Sequence, residues 1–163
     1  MTTEATIPCL HDLQAALSRP FPSEAIEVKP GALTKDRSRG LALAYGDPRK
    51  YMERLDEVIG PADWSVAYSI LPHGVVCRLT ILGITKEDVG DYPTDAGDPN
   101  RLTTAAMQAF KRACALYGLG RYLYDLPQVW ADYDEAKRAF KDPRGIVHKI
   151  YFLAGLAADS RLP

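Results

Sequence analysis

The chain has 163 residues and a formal net charge of −1, from 20 lysines and arginines against 21 aspartates and glutamates. Its length predicts one domain that buries about two-thirds of its unfolded surface, and the near-neutral charge argues against a protein that coats DNA by net charge alone. Because no run approaches the roughly 20 apolar residues of a membrane span and the N-terminus lacks a secretory signal pattern, we expect a cytoplasmic protein without membrane contact.

The first half of the chain predicts alternating helices and strands. Proline and glycine pairs mark the boundaries, and the segment around Leu41 alternates large side chains with glycine and alanine, as a strand does. Asp47 and Pro48 form a typical N-cap and first-turn pair. The predicted order is helix, strand, strand and helix, at residues 11–18, 25–29, 39–45 and 48–59.

A hairpin and an acidic loop are predicted next. Residues 64–71 and 75–85 have the pattern of strands, with a turn at residues 72–74 between them. Residues 86–100 then place five carboxylates among glycines and prolines, namely Glu87, Asp88, Asp91, Asp95 and Asp98. Because like charges repel, we predict a solvated loop that is mobile or lies against a basic neighbour.

Residues 101–127 are the most informative segment. They predict an Ala-rich helix ended by two glycines, and from Arg101 to Arg121 the chain has four basic residues and no acidic one. At ~100° per residue, Lys111 lies on the exposed side and Arg112 on its flank. The predicted buried stripe is Leu102, Ala106, Ala109, Ala113, Leu116 and Tyr117. Solvated helix faces usually mix charges of both signs, so this strip indicates an anionic polymer as ligand, with ordinary surface as the alternative.

The region beyond Pro127 carries weaker signals. Trp130 and Tyr133 precede a polar stretch, and residues 150–157 are compatible with a short apolar helix. We predict a single domain over residues 1–163, with a core at about residues 10–130 and an irregular or helical tail at residues 131–163.

Two further groups of cations lie earlier in the chain. Lys35, Arg37 and Arg39 are predicted to alternate along a strand edge. There they either follow a phosphate backbone or, equally well, block pairing of the edge with another strand. Arg49 and Lys50 begin the helix before residue 59, where they either contact a ligand or pair with acidic side chains of their own helix.

The sequence gives little support to an enzyme. It contains no GxGxxG, GxxxxGK[ST], GxSxG or HExxH motif, and its histidines are isolated, so no nucleophile–base pair is evident. Its three cysteines are far apart and form no CxxC pair, which argues against a disulfide framework or a zinc site. A nuclease would need a metal on Asp88, Asp91 and Asp95, and their spacing matches no ligand pattern. We expect no catalysis, no metal and no cofactor.

Several motifs occur together in a specific order. AFKRA at residues 109–113 precedes YGLGRYLYDLP at residues 117–127. Upstream lie PFP at 20–22, KPG at 29–31, KDR at 35–37, ERLDEV at 53–58, Trp64 and EDVG at 87–90. Over about residues 10–130 the chain thereby resembles the DdrA DNA-damage-response proteins of radiation-resistant bacteria, which belong with the eukaryotic single-strand-annealing recombination mediators. This resemblance implies an α+β fold with a β-β-β-α core, in which an antiparallel sheet packs on one long helix, and assembly into a ring.

The resemblance also implies a positive groove around that ring, which holds single-stranded DNA by its backbone. Lys111 and Arg112 match the main-helix positions that contact phosphates in the annealing mediators. Lys50, or Arg49 if the alignment shifts by one residue, matches a basic groove position on the preceding helix. The other DNA-binding candidates are Lys35, Arg37 and Arg39, which match a basic strand near the groove, and Arg101, the first cation of the acid-free strip.

Two details refine this expectation. Ala115 stands where the eukaryotic mediators have a further arginine, so the groove carries less charge there and annealing is in more doubt than binding. Tyr122 and Tyr124 could stack on bases, but the resemblance favours a structural role for both.

We therefore expect a bacterial, nucleoid-associated, single-stranded DNA-binding protein of DNA repair. It would form a homo-oligomeric ring and protect exposed strands or 3′ ends, and the sequence leaves open whether it also anneals strands and which other repair proteins it meets. The alternatives are a metal-dependent nuclease acting on DNA ends and a structural ring protein without DNA affinity.

Overall fold

The structure is a computed structural model that describes residues 8–156. Its helices and strands, in chain order, are α1 (Leu10–Ser18), β1 (Ile26–Leu33), β2 (Arg39–Gly46), α2 (Pro48–Val58), β3 (Trp64–Leu71), β4 (Gly74–Ile81), β5 (Ile84–Asp91), α3 (Arg101–Ala115), β6 (Val129–Asp134), β7 (Ala139–Phe140) and α4 (Pro143–Leu153). Short 3-10 turns lie at Ser23–Ala25 and Arg121–Asp125. The predicted α+β class with antiparallel sheets is confirmed.

Contacts between Cα atoms divide the described residues into two compact units. The first unit contains residues 8–19 and 51–121, and the second contains residues 20–50 and 122–156. The division falls inside α2, between Lys50 and Tyr51. A single domain for DNA binding and oligomerisation stays a prediction.

The first unit is a three-stranded antiparallel sheet with α3 packed on it. β3, β4 and β5 lie in the sheet in chain order, and α3 contacts β4 and β5. On β4, alternate side chains are fully buried, namely Val75, Cys77, Leu79 and Ile81. Gly90 on β5 allows a close approach, because a Cβ atom there would lie 2.0 Å from the carbonyl oxygen of Ala105. The helix therefore packs on the sheet through small residues.

The second turn of this sheet differs from the prediction. A single strand at residues 75–85 followed by a loop at 86–100 is wrong, because the chain turns at Leu82 and Gly83 and continues as β5 to Asp91. Both turn residues have positive φ, 49° and 78°, and such turns usually carry asparagine, aspartate or glycine at both positions. β5 is an edge strand with an exposed face, which tolerates the charges that suggested a loop.

The buried side of α3 also differs from the predicted stripe. The helix buries Ala105, Ala109, Phe110, Ala113 and Cys114. Leu102 is instead 43% exposed, and Ala106 and Leu116 are only half-buried. Ala109, Ala113 and Tyr117 of the predicted stripe are buried as predicted, and the buried face is rotated toward Ala105, Phe110 and Cys114.

A buried arginine attaches α1 to the rest of the first unit. Arg54 on α2 is 5% exposed, and its Nη1 atom donates to the carbonyl oxygens of Ala16 at 3.2 Å and Arg19 at 2.6 Å. Carbonyl groups at the end of a helix have no partner within it, so this cation satisfies the end of α1. From α1, Gln14 Nε2 also donates to the Tyr117 carbonyl oxygen at 2.7 Å.

The second unit is a four-stranded antiparallel sheet in the order β1-β2-β6-β7. Gly40 and Ala42 of β2 are buried on one face, opposite Ala131 and Val129 of β6. α4 contributes the apolar side chains Ile146, Val147, Ile150 and Tyr151 to the core of this unit. The small face predicted for residues 39–45 is therefore the buried face.

The turn predicted at Pro30–Gly31 is wrong, and the tail after residue 130 is helical only in part. β1 continues through Pro30–Gly31, where a turn is predicted, with an irregular register between Pro30 and Leu33. The segment after residue 130 is more regular than an irregular or helical tail, since it completes β6 and forms β7 and α4. α4 begins at Pro143, ahead of the helix predicted at residues 150–157, and residue 157 lies outside the described part of the chain.

Candidate nucleic-acid interface

The candidate cations of the first unit lie on α3. Lys111 is half-buried. Arg112 has a side chain that is 34% exposed, and its Nη1 atom donates to the Val89 carbonyl oxygen at 3.0 Å and to Asp91 Oδ2 at 3.3 Å. The segment from Arg101 to Arg121 has no acidic residue of its own, but in the folded chain Asp91 of β5 lies next to it. Arg112 is held in a defined position and is partly neutralised by Asp91.

The cations at the two ends of this segment, Arg101 and Arg121, also have partners within the first unit. Arg101, the first residue of α3, lies over the ring of Tyr92 with its guanidinium carbon 4.5 Å from the ring centroid. Such cation–π contacts contribute about 0.5–1 kcal/mol at exposed sites. Arg121 Nε donates to the Ala115 carbonyl oxygen at 2.8 Å, so this cation caps the end of α3. Ala115, the position of the missing arginine, thus has its backbone next to a different arginine.

In the second unit, two of the three cations predicted on a strand edge lie in a turn instead. Lys35 and Arg37 belong to the connection between β1 and β2, and only Arg39 is on a strand. The turn is held by Asp36, whose carboxylate accepts hydrogen bonds from Thr34 Oγ1 and from the backbone N–H of Ser38. The strand-edge prediction is wrong because Arg37 adopts a positive φ of 53°, which ends the extended backbone.

These cations meet acidic residues that are remote in the sequence. Arg37 Nη1 lies 3.0 Å from Glu135 Oε1, and Arg39 Nε lies 3.9 Å from Asp132 Oδ1. All four side chains are more than half exposed. Exposed ion pairs contribute about 0–1 kcal/mol, so a phosphate can replace either carboxylate at little cost. Lys35 is exposed and has no ion pair with another described residue.

Arg49 and Lys50 lie in the first turn of α2. Asp47 caps this helix as predicted, because its Oδ1 atom accepts the backbone N–H of Arg49 at 2.8 Å. The Arg49 side chain is exposed and Lys50 is half-buried. Among the described residues, Arg49 forms no side-chain ion pair, so pairing with an acid of its own helix does not account for it.

The eight candidates thus fall into two groups, one in each unit. The first group is Arg101, Lys111 and Arg112, and the second is Lys35, Arg37, Arg39, Arg49 and Lys50. A single groove formed by all eight stays a prediction.

The two tyrosines after α3 differ in their surroundings. Tyr122 is part of the scaffold, since its hydroxyl accepts the Phe21 N–H at 3.1 Å and lies 2.8 Å from the Tyr151 hydroxyl. Tyr124 is 68% exposed, so it is not part of the core of its unit.

The carboxylates of the nuclease alternative are spread over two kinds of structure. Asp88 and Asp91 lie on β5, whereas Asp95 lies in the following loop and accepts the Gly97 N–H. Within residues 8–156, no group of three or more histidine, cysteine or acidic side chains is arranged to hold a metal ion.

Burial raises the pKa of the Cys77 thiol to about 11, so it stays protonated at neutral pH.

Sequence reasoning assigned no role to Trp130, although its side chain is 43% exposed on β6. Its neighbours Val129 and Tyr133 are buried, so the alternation of a strand directs Trp130 to the other face. The alternation of apolar and polar residues could have indicated that Trp130 is exposed, but only if residues 129–134 are recognised as a strand.

The sequence profile of the Rad52/22 family double-strand break repair proteins matches residues 10–140. The chain belongs to the Rad52/22 family. Two relatives, from Deinococcus deserti and Deinococcus radiodurans, are both named single-stranded DNA-binding protein DdrA. The chain is 46% identical to the first over 133 residues, which cover 79% of this chain and 65% of the relative. It is 43% identical to the second over 136 residues, which cover 81% and 64%.

This Rad52/22 family chain therefore spans slightly less than two-thirds of the length of the two relatives. The matched segment includes all eight candidate cations and both sheets. In the described range, no helix is both long enough and apolar enough to cross a membrane.

Proposed function

We propose that this protein binds single-stranded DNA in bacterial DNA repair, and that it holds and protects exposed strands or 3′ ends in the cytoplasm at the nucleoid. The observation that carries the proposal is the 43–46% identity to two proteins named single-stranded DNA-binding protein. The exposed or partly exposed cations of both units supply the chemistry that a phosphate backbone requires. The activity is binding rather than catalysis.

The proposed mechanism is electrostatic. Lys111 and Arg112 on α3 donate hydrogen bonds to phosphate oxygens, and the cations of the second unit add contacts of the same kind. Each contact releases counterions, so the logarithm of affinity falls with the logarithm of salt concentration by about 0.7 per contact on single strands. Local contacts of this kind explain how a chain with a net charge of −1 binds a polyanion.

We also propose that the subunits form a closed ring. In this proposal each subunit contributes a β-β-β-α core, made of β3, β4, β5 and α3. A ring places many weak contacts on one strand, and the resulting effective concentration raises the total affinity far above that of one subunit. Ala115 reduces the charge of the groove, and strand annealing is therefore the weaker part of this proposal.

The test is the binding of a labelled dT oligonucleotide, followed by fluorescence anisotropy over a salt series. The double variant Lys111→Ala with Arg112→Ala should bind more weakly at low salt, and its salt slope should be smaller by about 1.4 per subunit engaged. The matched control is Arg144→Ala with Lys149→Ala, which removes two exposed cations from α4. It changes the net charge equally and should leave the slope unchanged.

The proposal fails if the Lys111 and Arg112 double variant keeps its affinity and its slope while its assembly stays intact. The nuclease alternative predicts a different result, namely cleavage of the oligonucleotide in magnesium and loss of that cleavage in Asp88→Asn. We expect the strand to stay intact and binding to persist in a chelator.

A further inference from the structure

Trp130 is an aromatic side chain that the core of its unit does not use. It is 43% exposed and lies on β6, between residues whose side chains point to the buried face. Its partner across the strands is Leu41 of β2, which is half-buried. Trp130 therefore has Leu41 as its neighbour on the sheet, while much of its side chain is open. Large aromatic side chains left open on a surface are enriched at binding sites.

A cation lies on the same face of the sheet as this indole. Arg39 and Leu41 share one face of β2, so Arg39 is a diagonal neighbour of Trp130 on the same face of the sheet. The Nη2 atom of Arg39 also donates to the Trp130 carbonyl oxygen at 3.1 Å. Lys35 and Arg37 lie in the turn that leads into Arg39. An aromatic face with flanking cations is the combination by which proteins hold single-stranded nucleic acids.

We propose that Trp130 stacks on one base of the bound strand while Arg39 contacts a neighbouring phosphate. This inference rests on the proposed function and deepens it, since the contacts assigned above reach only the phosphate backbone. Stacking on an indole needs no particular base, because every base has a π-face. The protein would therefore bind strands of any sequence but would distinguish a strand with bases from one without them.

Acidic residues near Arg39 weaken its proposed contact with a phosphate. Asp132 lies opposite Arg39 and forms the exposed 3.9 Å ion pair with it, and Glu135 pairs with Arg37. A phosphate that binds Arg39 must displace the Asp132 carboxylate and is repelled by it. Asp132→Asn should therefore raise the affinity for single-stranded DNA by about two- to fivefold, which corresponds to an exposed pair of less than about 1 kcal/mol.

The direct test uses Trp130 itself as the probe. The chain has two tryptophans, and Trp64→Phe leaves Trp130 as the only one, so its emission can be excited apart from that of the tyrosines. The substitution keeps an aromatic ring against Phe110. Titration with a dT oligonucleotide should quench Trp130 emission, and the quench should saturate together with the anisotropy of the labelled strand. This measurement leaves the proposed stacking residue unchanged, so a folding defect at residue 130 cannot affect it.

Substitutions at residue 130 give the second test. Trp130→Ala should weaken binding to dT about tenfold, and Trp130→Tyr should retain most of the affinity because a ring remains. An abasic oligonucleotide of the same length is the matched control, since parent and Trp130→Ala proteins should bind it equally. Thermal melting of each variant checks that the fold is kept.

The failure of this inference differs from the failure of the proposed function. Normal dT binding with unchanged Trp130 emission, or with equal affinity in Trp130→Ala, would overturn the stacking contact alone. Absence of dT binding by the parent and the Trp64→Phe protein would overturn the proposed function and the stacking contact together. If Trp130 emission changes with protein concentration without DNA and Trp130→Ala lowers the mass of the assembly, a second copy of the chain covers the indole, and the stacking contact is wrong.

Discussion

Asp36 determines the shape of the turn that presents Lys35 and Arg37. Hydrogen bonds from the Thr34 hydroxyl, and next from the Ser38 backbone N–H, lower the pKa of Asp36 from 3.8 to about 2. Because the pKa is lowered by folding, ionised Asp36 supports the folded turn above about pH 4. That support is lost as the pH falls through about 2. The turn that carries Lys35 and Arg37 should thus keep its shape at the near-neutral pH at which DNA binding is measured.

The Thr34→Ala variant tests this origin of the pKa. It removes the hydrogen bond with the largest effect, so the pKa of Asp36 should rise toward 3.8, although the Ser38 bonds keep part of the shift. NMR titration of the Asp36 carboxyl group measures it. Thr85→Ala, which removes a hydroxyl bonded to Thr80 on the other unit's sheet, is the control and should leave Asp36 unchanged. A pKa near 2 in Thr34→Ala would contradict the assignment.

At the scale of elements, removing the contact between Arg54 and α1 should lower the free energy of unfolding. Arg54→Met keeps the aliphatic volume but leaves the Ala16 and Arg19 carbonyl groups without this donor. Hydrogen bonds that involve a charged group contribute about 1.5–3 kcal/mol. We therefore expect the free energy of unfolding in urea to fall by about 2 kcal/mol.

Arg19→Met is the control for this measurement. The Arg19 side chain is half exposed and lies 3.7 Å from Glu57, whereas only its backbone carbonyl accepts from Arg54. Exposed pairs contribute little, so the change should stay within about 0.5 kcal/mol. Arg54 Nε also lies 3.9 Å from Glu57 Oε2, so equal losses in both variants would show that Arg54 acts through Glu57 rather than through α1.

The elements also show what the sequence could and could not predict. Helices α1, α2 and α3 and strands β2 and β3 have strong boundary signals, such as Asp47 before Pro48, and were predictable. Leu82 is not a residue typical of its position in the Leu82–Gly83 turn, so the sequence alone favours a loop in place of β5. β6 cannot be predicted locally, because its pairing with β2 joins residues about 90 positions apart in the chain.

The site shows the same limit for side chains. The identity of the candidate cations could be predicted from residue type and from the resemblance. Their partners could not, because Arg37, Arg39 and Arg112 pair with acids on other strands. The exposure of Trp130 follows from the face of β6 on which it lies, and it could be recognised only after that strand was known.

For the whole molecule, a closed ring predicts one defined mass. In a ring every subunit interface is satisfied, so native mass measurement should give a single multiple of 18.0 kDa rather than a ladder of sizes. The Lys111→Ala with Arg112→Ala protein should give the same multiple, because these side chains are assigned to DNA. A mass of one subunit at all concentrations would contradict the ring, and the proposed binding would then rest on the contacts of a single chain.

The path of the chain has a consequence for any attempt to dissect the protein. Residues 20–50 belong to the second unit, yet they separate α1 from the remainder of the first unit. Neither unit is a continuous stretch, so no single cut separates them. A fragment that begins at residue 51 would lose α1, and with it the carbonyl partners of the Arg54 guanidinium. A fragment of the first unit must instead be made by joining residue 19 to residue 51 with a short artificial linker.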